Sequence, residues 1–151
     1  MIRVANAADR TAIEAIVRAA YSIYVGRIGK PPGPMLDDYA ARTAAGAVSV
    51  LEEACGTVAG IIVLVPQADH LLLDNIAVRP DRQGNGFGRR LIAFAETEAR
   101  RRGYSELRLY THQTMTENIA LYTRIGFAEI GRSRHEGYDR VFMAKRVPYF
   151  P

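Results

Sequence analysis

Three glycines at alternate positions, Gly84, Gly86 and Gly88, stand among Arg82, Arg89 and Arg90. Backbone without side chains can approach a ligand closely and aim several N–H groups at it. With a helix opening near Gly86, its dipole adds partial positive charge to the full charges of the arginines, which suits a pyrophosphate better than a neutral ligand. Ten residues upstream, Asp74 interrupts an apolar run that begins Leu71-Leu72-Leu73. A carboxylate in such a strand either handles a proton or hydrogen-bonds a neighbouring loop. Downstream, the phenol of Tyr122 lies among Ile119, Leu121 and Phe127, where it can pack or work.

The elements that must hold these groups are legible from periodicity. Residues 4–6 read as a short strand, and Ile13, Ile16, Val17, Ala20 and Tyr24 recur at helical spacing behind Asp9 and Thr11. Residues 26–34, rich in Gly and Pro, read as a loop. Pro34 then opens a second helix carrying Leu36, Tyr39, Ala40 and Thr43, which Gly46 closes. Residues 47–53, 57–65 and 71–78 are strand-like, with turns at Cys55-Gly56 and at 66–69. From Gly86 the period changes: Gly88, Leu91, Ile92, Ala95 and Ala99 share one helical face, Glu96 pairs with Arg100 outside it, and Gly103 stops the helix. Residues 107–110 form the next strand. Thr114 and Glu117 read as a capping box for a short helix ended by Gly126, and strands at 127–130 and 141–145 flank a polar loop. The order βααβββαβαββ predicts an α/β (α+β) fold, with a mixed, mostly antiparallel sheet of about seven strands flanked by about four helices. The unit at 71–110 requires a right-handed parallel crossover, and ligands in such sheets bind beyond the C-terminal strand ends, here at residues 79–88.

The 151 residues suit one domain spanning 1–151, with 48% hydrophobic and 24% charged residues near globular averages. No apolar run approaches a membrane span and no secretory signal is evident, so a cytoplasmic protein without a membrane partner is expected. The single Cys55 can form no internal disulfide, and it shares no metal-ligand spacing with His70, His112 or His135, so no metal is expected. The net charge of +4, concentrated at 79–90 and 100–102, favours an anionic partner. Nucleic acid is suggested by pI alone and is not expected as a partner, because Arg100-Arg101-Arg102 reads as a solvated helix end.

A Rossmann site would place its glycines after the first strand of a repeated parallel unit, with an acidic residue about 20 positions later, and a Walker loop would end in Gly-Lys-Ser/Thr. This chain does neither. Its Gln83, Gly86 and Gly88 match the Gln/Arg-x-x-Gly-x-Gly/Ala signature of the GNAT superfamily of N-acetyltransferases, which the segment 71–127 resembles. Ile76-Ala77-Val78 before Pro80 resembles that family's fourth strand, and Ala120-Leu121-Tyr122 with Gly126-Phe127 its later helix and sixth strand.

The resemblance implies an acetyl-CoA-dependent N-acetyltransferase. Gln83, Gly84, Asn85, Gly86, Phe87, Gly88 and Arg89 would hold the pyrophosphate of acetyl-CoA, and Ile76, Ala77 and Val78 would bind its pantetheine arm as an added strand. Tyr122 occupies the place of the tyrosine that protonates the departing CoA sulfur, and a phenol of pKa about 10 is matched to that task. A backbone N–H near Val78 would meet the oxyanion at a strand bulge.

For amine deprotonation the residues offer Asp74, with Tyr110 and His112 as further candidates. Many family members carry a glutamate on this strand, where this chain has Leu72 two residues before Asp74. The family's CoA-binding asparagine lies seven residues before its tyrosine, a place held here by Met115, whereas Asn118 lies four before Tyr122. The acceptor, a small-molecule amine or a protein N-terminus or lysine, would enter between residues 26–34 and 132–138, where Tyr21, Tyr24, Arg27, Arg132, Arg134 and His135 could favour an acidic group. A non-catalytic acetyl-CoA sensor is the alternative, and the tail at 148–151 could cover a partner subunit in a homodimer.

Overall fold

The computed structural model describes residues 1–148; the tail residues Tyr149, Phe150 and Pro151, expected to cover a partner, lie outside the described residues. Seven strands and four α-helices follow in the order β1 (Ile2–Val4), α1 (Arg10–Ile28), α2 (Tyr39–Ala44), β2 (Val48–Glu52), β3 (Val58–Pro66), β4 (Leu71–Val78), α3 (Phe87–Arg101), β5 (Glu106–His112), α4 (Thr116–Ile125), β6 (Ala128–His135) and β7 (Tyr138–Arg146). The sheet order is β1-β2-β3-β4-β5-β7-β6. β4 and β5 pair in parallel, joined through α3, while β1–β2, β2–β3, β5–β7 and β6–β7 are antiparallel. The expected order of elements and the mixed sheet are both present. No helix among the described residues is long and apolar enough to cross a membrane.

Contacts divide the chain into two compact units, Met1–Leu64 with Asn75–Phe94, and Val65–Asp74 with the described residues from Ala95 onward. In the first unit, Ile13, Ile16 and Val17 of α1 and the runs Val48–Leu51 and Ile61–Leu64 are buried. Arg3 ties the start of the chain together: it donates to both oxygens of Asp9 at 2.8 and 2.9 Å and to Glu52 at 2.9 Å. Asp9 also accepts the Asn6 N–H, and Asn6 accepts from Ala8, a reciprocal box that opens a 3-10 turn, Ala7–Asp9, running into α1. Gly60 of β3 is required by close approach, because a Cβ there would lie 3.1 Å from Leu91 of α3 and 3.2 Å from the Ala77 carbonyl.

In the second unit Leu107 and Leu109 are buried, as are Ala95, Ala99, Met115, Tyr122, Phe127 and Met143. Lys145 of β7 reaches Glu96 at 2.6 Å and the Ile125 carbonyl at 2.9 Å, fastening α3 and the end of α4 to the same strand.

Several local expectations are corrected. α1 runs through Gly26 to Ile28 and ends at Gly29, whose φ of 87° forms a left-handed cap, so the loop is shorter than its Gly/Pro content suggested. The second helix is split into a 3-10 turn, Gly33–Leu36, and α2, because Asp37 is extended and Asp38 caps a new start by accepting from Ala41. Glu96 is taken by Lys145 rather than Arg100, and Glu98 pairs with Arg101 and Arg102. The cap of α4 falls on Met115, one residue beyond the Thr114 expected from the sequence. Residues 132–138 are mostly strand: β6 and β7 continue to Glu136-Gly137, whose positive φ values of 53° and 82° make a tight two-residue hairpin turn.

Candidate active site

The glycine loop belongs wholly to the first unit. Val78 ends β4, a 3-10 turn (Pro80–Arg82) follows, and Gly84 and Gly86 take φ values of 84° and 78°, conformations that favour glycine. Gln83 Nε2 donates to the Val78 carbonyl at 3.3 Å and Asn85 Nδ2 to the Arg82 carbonyl at 3.0 Å, so both side chains brace the turn. The bond from the Arg90 N–H to the Gly86 carbonyl, 3.1 Å, opens α3, and the N–H groups of Phe87, Gly88 and Arg89 have no acceptor within the helix. A Cβ at Gly88 would meet nothing within 4 Å. Internal packing therefore gives no reason for glycine there. Arg89 and Arg90 are exposed, with the Arg90 guanidinium 5.6 Å from the Phe87 ring centroid. Arg82 is engaged instead by Glu53 at 2.5 Å, so its charge is balanced locally.

Along β4, Leu71, Leu73, Asn75 and Ala77 are buried, while Leu72, Asp74, Ile76 and Val78 are half-buried, the shared face expected for Asp74. The ladder to β5 runs only from Leu71↔Leu107 to Leu73↔Leu109, so β4 continues for residues 74–78 past its last β5 partner. Asn75 was missed in the sequence. It is buried, accepts from Tyr21 Oη at 2.6 Å and donates to Tyr39 Oη at 2.8 Å, while Tyr21 also lies 3.0 Å from the Ile76 carbonyl. Its only signal was a second polar residue beside Asp74 in an apolar strand.

In the second unit, Tyr110 Oη donates to Asp74 Oδ1 at 2.8 Å, which joins two candidates that the sequence treated separately. Arg140 lies over the Tyr110 ring, its guanidinium carbon 4.2 Å from the centroid. His112 Nδ1 sits 2.9 Å from the Thr114 hydroxyl and accepts the Thr114 N–H at 3.2 Å, giving it a local structural role in the turn before α4. Tyr122 is buried in α4 against Phe127, with ring centroids 5.8 Å apart at 64°. The helix ends in a glycine cap: Gly126 has φ 115° and the Phe127 N–H reaches the Tyr122 carbonyl at 3.0 Å. Asn118 Nδ2 lies 3.7 Å from the Met115 sulfur, so the residue at the family's asparagine position and the displaced asparagine are neighbours. Chemically, the first unit presents a glycine loop with helix N–H groups that have no acceptor within the helix, and the second a carboxylate–phenol pair and a separate buried phenol.

The model of the acetyltransferase (GNAT) family matches residues 12–127. The chain belongs to that family. It is 36% identical over 74 residues to the [ribosomal protein bS18]-alanine N-acetyltransferase of Escherichia coli K12, covering 49% of this chain and 50% of the relative. It is also 36% identical over 94 residues to an IAA acetyltransferase of Azospirillum brasilense, covering 60% and 61%. The chain thus spans about half the length of the first of these relatives. The crystal structure of the Escherichia coli ribosomal-protein-S18-alanine N-acetyltransferase superposes with a TM-score of 0.79 at 24% identity, over 100% of this chain and 96% of that one. PaiA N-acetyltransferase from Thermoplasma acidophilum, solved in complex with coenzyme A, gives 0.76 at 20% identity over 97% and 98%. At these identities the likeness shows the fold.

Proposed function

We propose that the protein transfers an acetyl group from acetyl-CoA to a primary amine. The observation that carries this reading is the loop between β4 and α3: two glycines in left-handed conformations, helix N–H groups without an acceptor in the helix and a third glycine whose vacant side-chain position serves no internal contact. Gln83, Gly84, Asn85, Gly86, Phe87, Gly88 and Arg89 hold the pyrophosphate, and the stretch of β4 past its last β5 partner, at Ile76, Ala77 and Val78, offers backbone groups to the pantetheine arm. Asn118 lies beside Met115 and is a further candidate contact to CoA.

The amine nitrogen attacks the thioester carbonyl carbon, and the carbon–sulfur bond breaks as the amide forms. The ammonium proton passes to Asp74, directly or through Tyr110 or water. Tyr122 gives its phenolic proton to the departing thiolate. The Tyr110–Asp74 hydrogen bond of 2.8 Å supports the first role, because a carboxylate held by a phenol is oriented for proton transfer. Tyr122 rests on its position in α4 and on the motif around it.

Thiol release with acetyl-CoA and a broad amine panel tests the reaction, and binding without transfer to any amine would favour a sensor. Tyr122→Phe should lower kcat by about 10²-fold or more, the usual range for losing a general acid, with acetyl-CoA affinity nearly unchanged. Wild-type turnover in that variant would remove Tyr122 from the mechanism.

A further inference from the structure

The second unit carries a cleft of about 540 Å³. Leu72 of β4, Tyr110 of β5, Phe142 of β7 and Ile130 of β6 provide apolar lining, with Tyr110 and Phe142 direct partners in the β5–β7 ladder. Three guanidinium groups, those of Arg108, Arg132 and Arg140, also line it, and no aspartate or glutamate does. Two of the three are already bound: Arg108 donates to Glu106 and Arg132 to Glu129.

Arg140 is different. Its side chain is only 14% exposed and lies over the Tyr110 ring, yet its carboxylate contact, Glu136, is 3.8 Å away on the hairpin turn with a side chain 73% exposed. That separation exceeds hydrogen-bond length. Its Nη1 faces His135 Nδ1 at 3.4 Å, a long contact. A guanidinium withdrawn from water this far normally has a carboxylate or phosphate in bidentate contact, which the fork geometry favours. The phenol beneath Arg140 is the one whose hydroxyl holds Asp74. An anion on Arg140 and an amine delivered to Asp74 would therefore share one aromatic platform.

We propose that this cleft binds the acceptor, and that the acceptor is an amine that also carries an anionic group, carboxylate or phosphate, seated on Arg140. The inference rests on the acetyl-transfer reading for what reacts, and on Arg140 for what binds. Apolar lining beside the anion site favours acceptors with a hydrophobic portion, and the guanidinium groups disfavour polyamines and lysine-rich peptides through like-charge repulsion.

Matched acceptors test it on the whole chain: phenylalanine against phenylalaninamide for a carboxylate, and O-phosphoethanolamine against ethanolamine for a phosphate. Wild-type kcat/KM should favour the anionic member of at least one pair by about 10- to 100-fold, as expected for a charge-assisted hydrogen bond. Arg140→Gln should abolish that preference through KM with kcat largely kept, and Arg140→Lys should restore part of it. Glu136→Gln, on an exposed turn, removes the competing carboxylate and should lower KM for the anionic acceptor. Equal rates within both pairs, or an undiminished preference in Arg140→Gln, would overturn the proposal. If no amine is acetylated, the acetyl-transfer reading fails on its own, and calorimetry with N-acetylphenylalanine judges the cleft separately. Binding lost in Arg140→Gln sustains the anion site; no binding by wild type of either N-acetylphenylalanine or O-phosphoethanolamine overturns it.

Discussion

Gly88 separates the demands of folding from those of ligand binding more cleanly than any other residue of the loop. Gly84 and Gly86 adopt positive φ, so replacing either would strain the turn and confound any loss of affinity. Gly88 sits in the first turn of α3 with open space where its Cβ would be. Gly88→Ala should therefore stabilise the free protein by up to about 1 kcal/mol, the helix-propensity difference, while weakening acetyl-CoA binding. Urea denaturation and calorimetry on one preparation check both halves, and unchanged affinity would remove Gly88 from the cradle. The loop itself was legible from glycine spacing and neighbouring arginines. What was not legible was that Glu53, 29 positions upstream, engages Arg82, or that Tyr110 and Asp74 meet between β5 and β4. Long-range partners of single polar side chains leave no periodic trace.

Among the elements, those with a clean hydrophobic period were read well. α3 buries Leu91, Ile92, Ala95 and Ala99, and β4 alternates along its whole length. β6 was read only as far as Ile130 for the complementary reason: every one of its residues is exposed, so its polar continuation along an edge strand presents no alternation and reads as loop. α1 overran because a glycine within a helix is tolerated, and the stop is set by Gly29 in the left-handed region instead of Gly26. The anchoring of α1 makes a pH-dependent prediction. Arg3 holds the Asp9 carboxyl below the ordinary carboxylate range through two hydrogen bonds, outweighing burial. A depressed folded-state pKa gives stability that is complete above the unfolded value, about 3.9, and lost as pH falls through the lower folded value. Urea titrations from pH 6 down to about pH 2.5 should show wild type losing stability more steeply than Asp9→Asn, which starts less stable. Parallel curves would exclude Asp9 as a source of acid sensitivity.

For the molecule as a whole, the two compact units each contain part of the proposed chemistry: the glycine loop in the first, the carboxylate–phenol pair, Tyr122 and the arginine-lined cleft in the second. A ligand that binds only the folded chain must raise its melting temperature. Acetyl-CoA at 100 times its Kd contributes about 2.7 kcal/mol, equivalent to roughly 5–10 °C for a chain of this size. Differential scanning fluorimetry with and without acetyl-CoA measures this, and an absent shift at saturating concentration would contradict the cradle. A convenient reporter is already built in. Cys55, the chain's single cysteine, is exposed on the β2–β3 turn, and the Thr57 hydroxyl, 3.2 Å from its sulfur, draws its pKa below the ordinary thiol value. Two residues earlier, Glu53 grips Arg82, the residue next to Gln83 in the glycine loop. One maleimide fluorophore per chain would thus sit on a turn linked through Glu53 and Arg82 to the β4–α3 loop, where a change in emission on adding acetyl-CoA would report binding. The same thiol would add one equivalent of background per chain to any assay that counts released CoA with a disulfide reagent. Cys55→Ser is the natural parent for every kinetic variant.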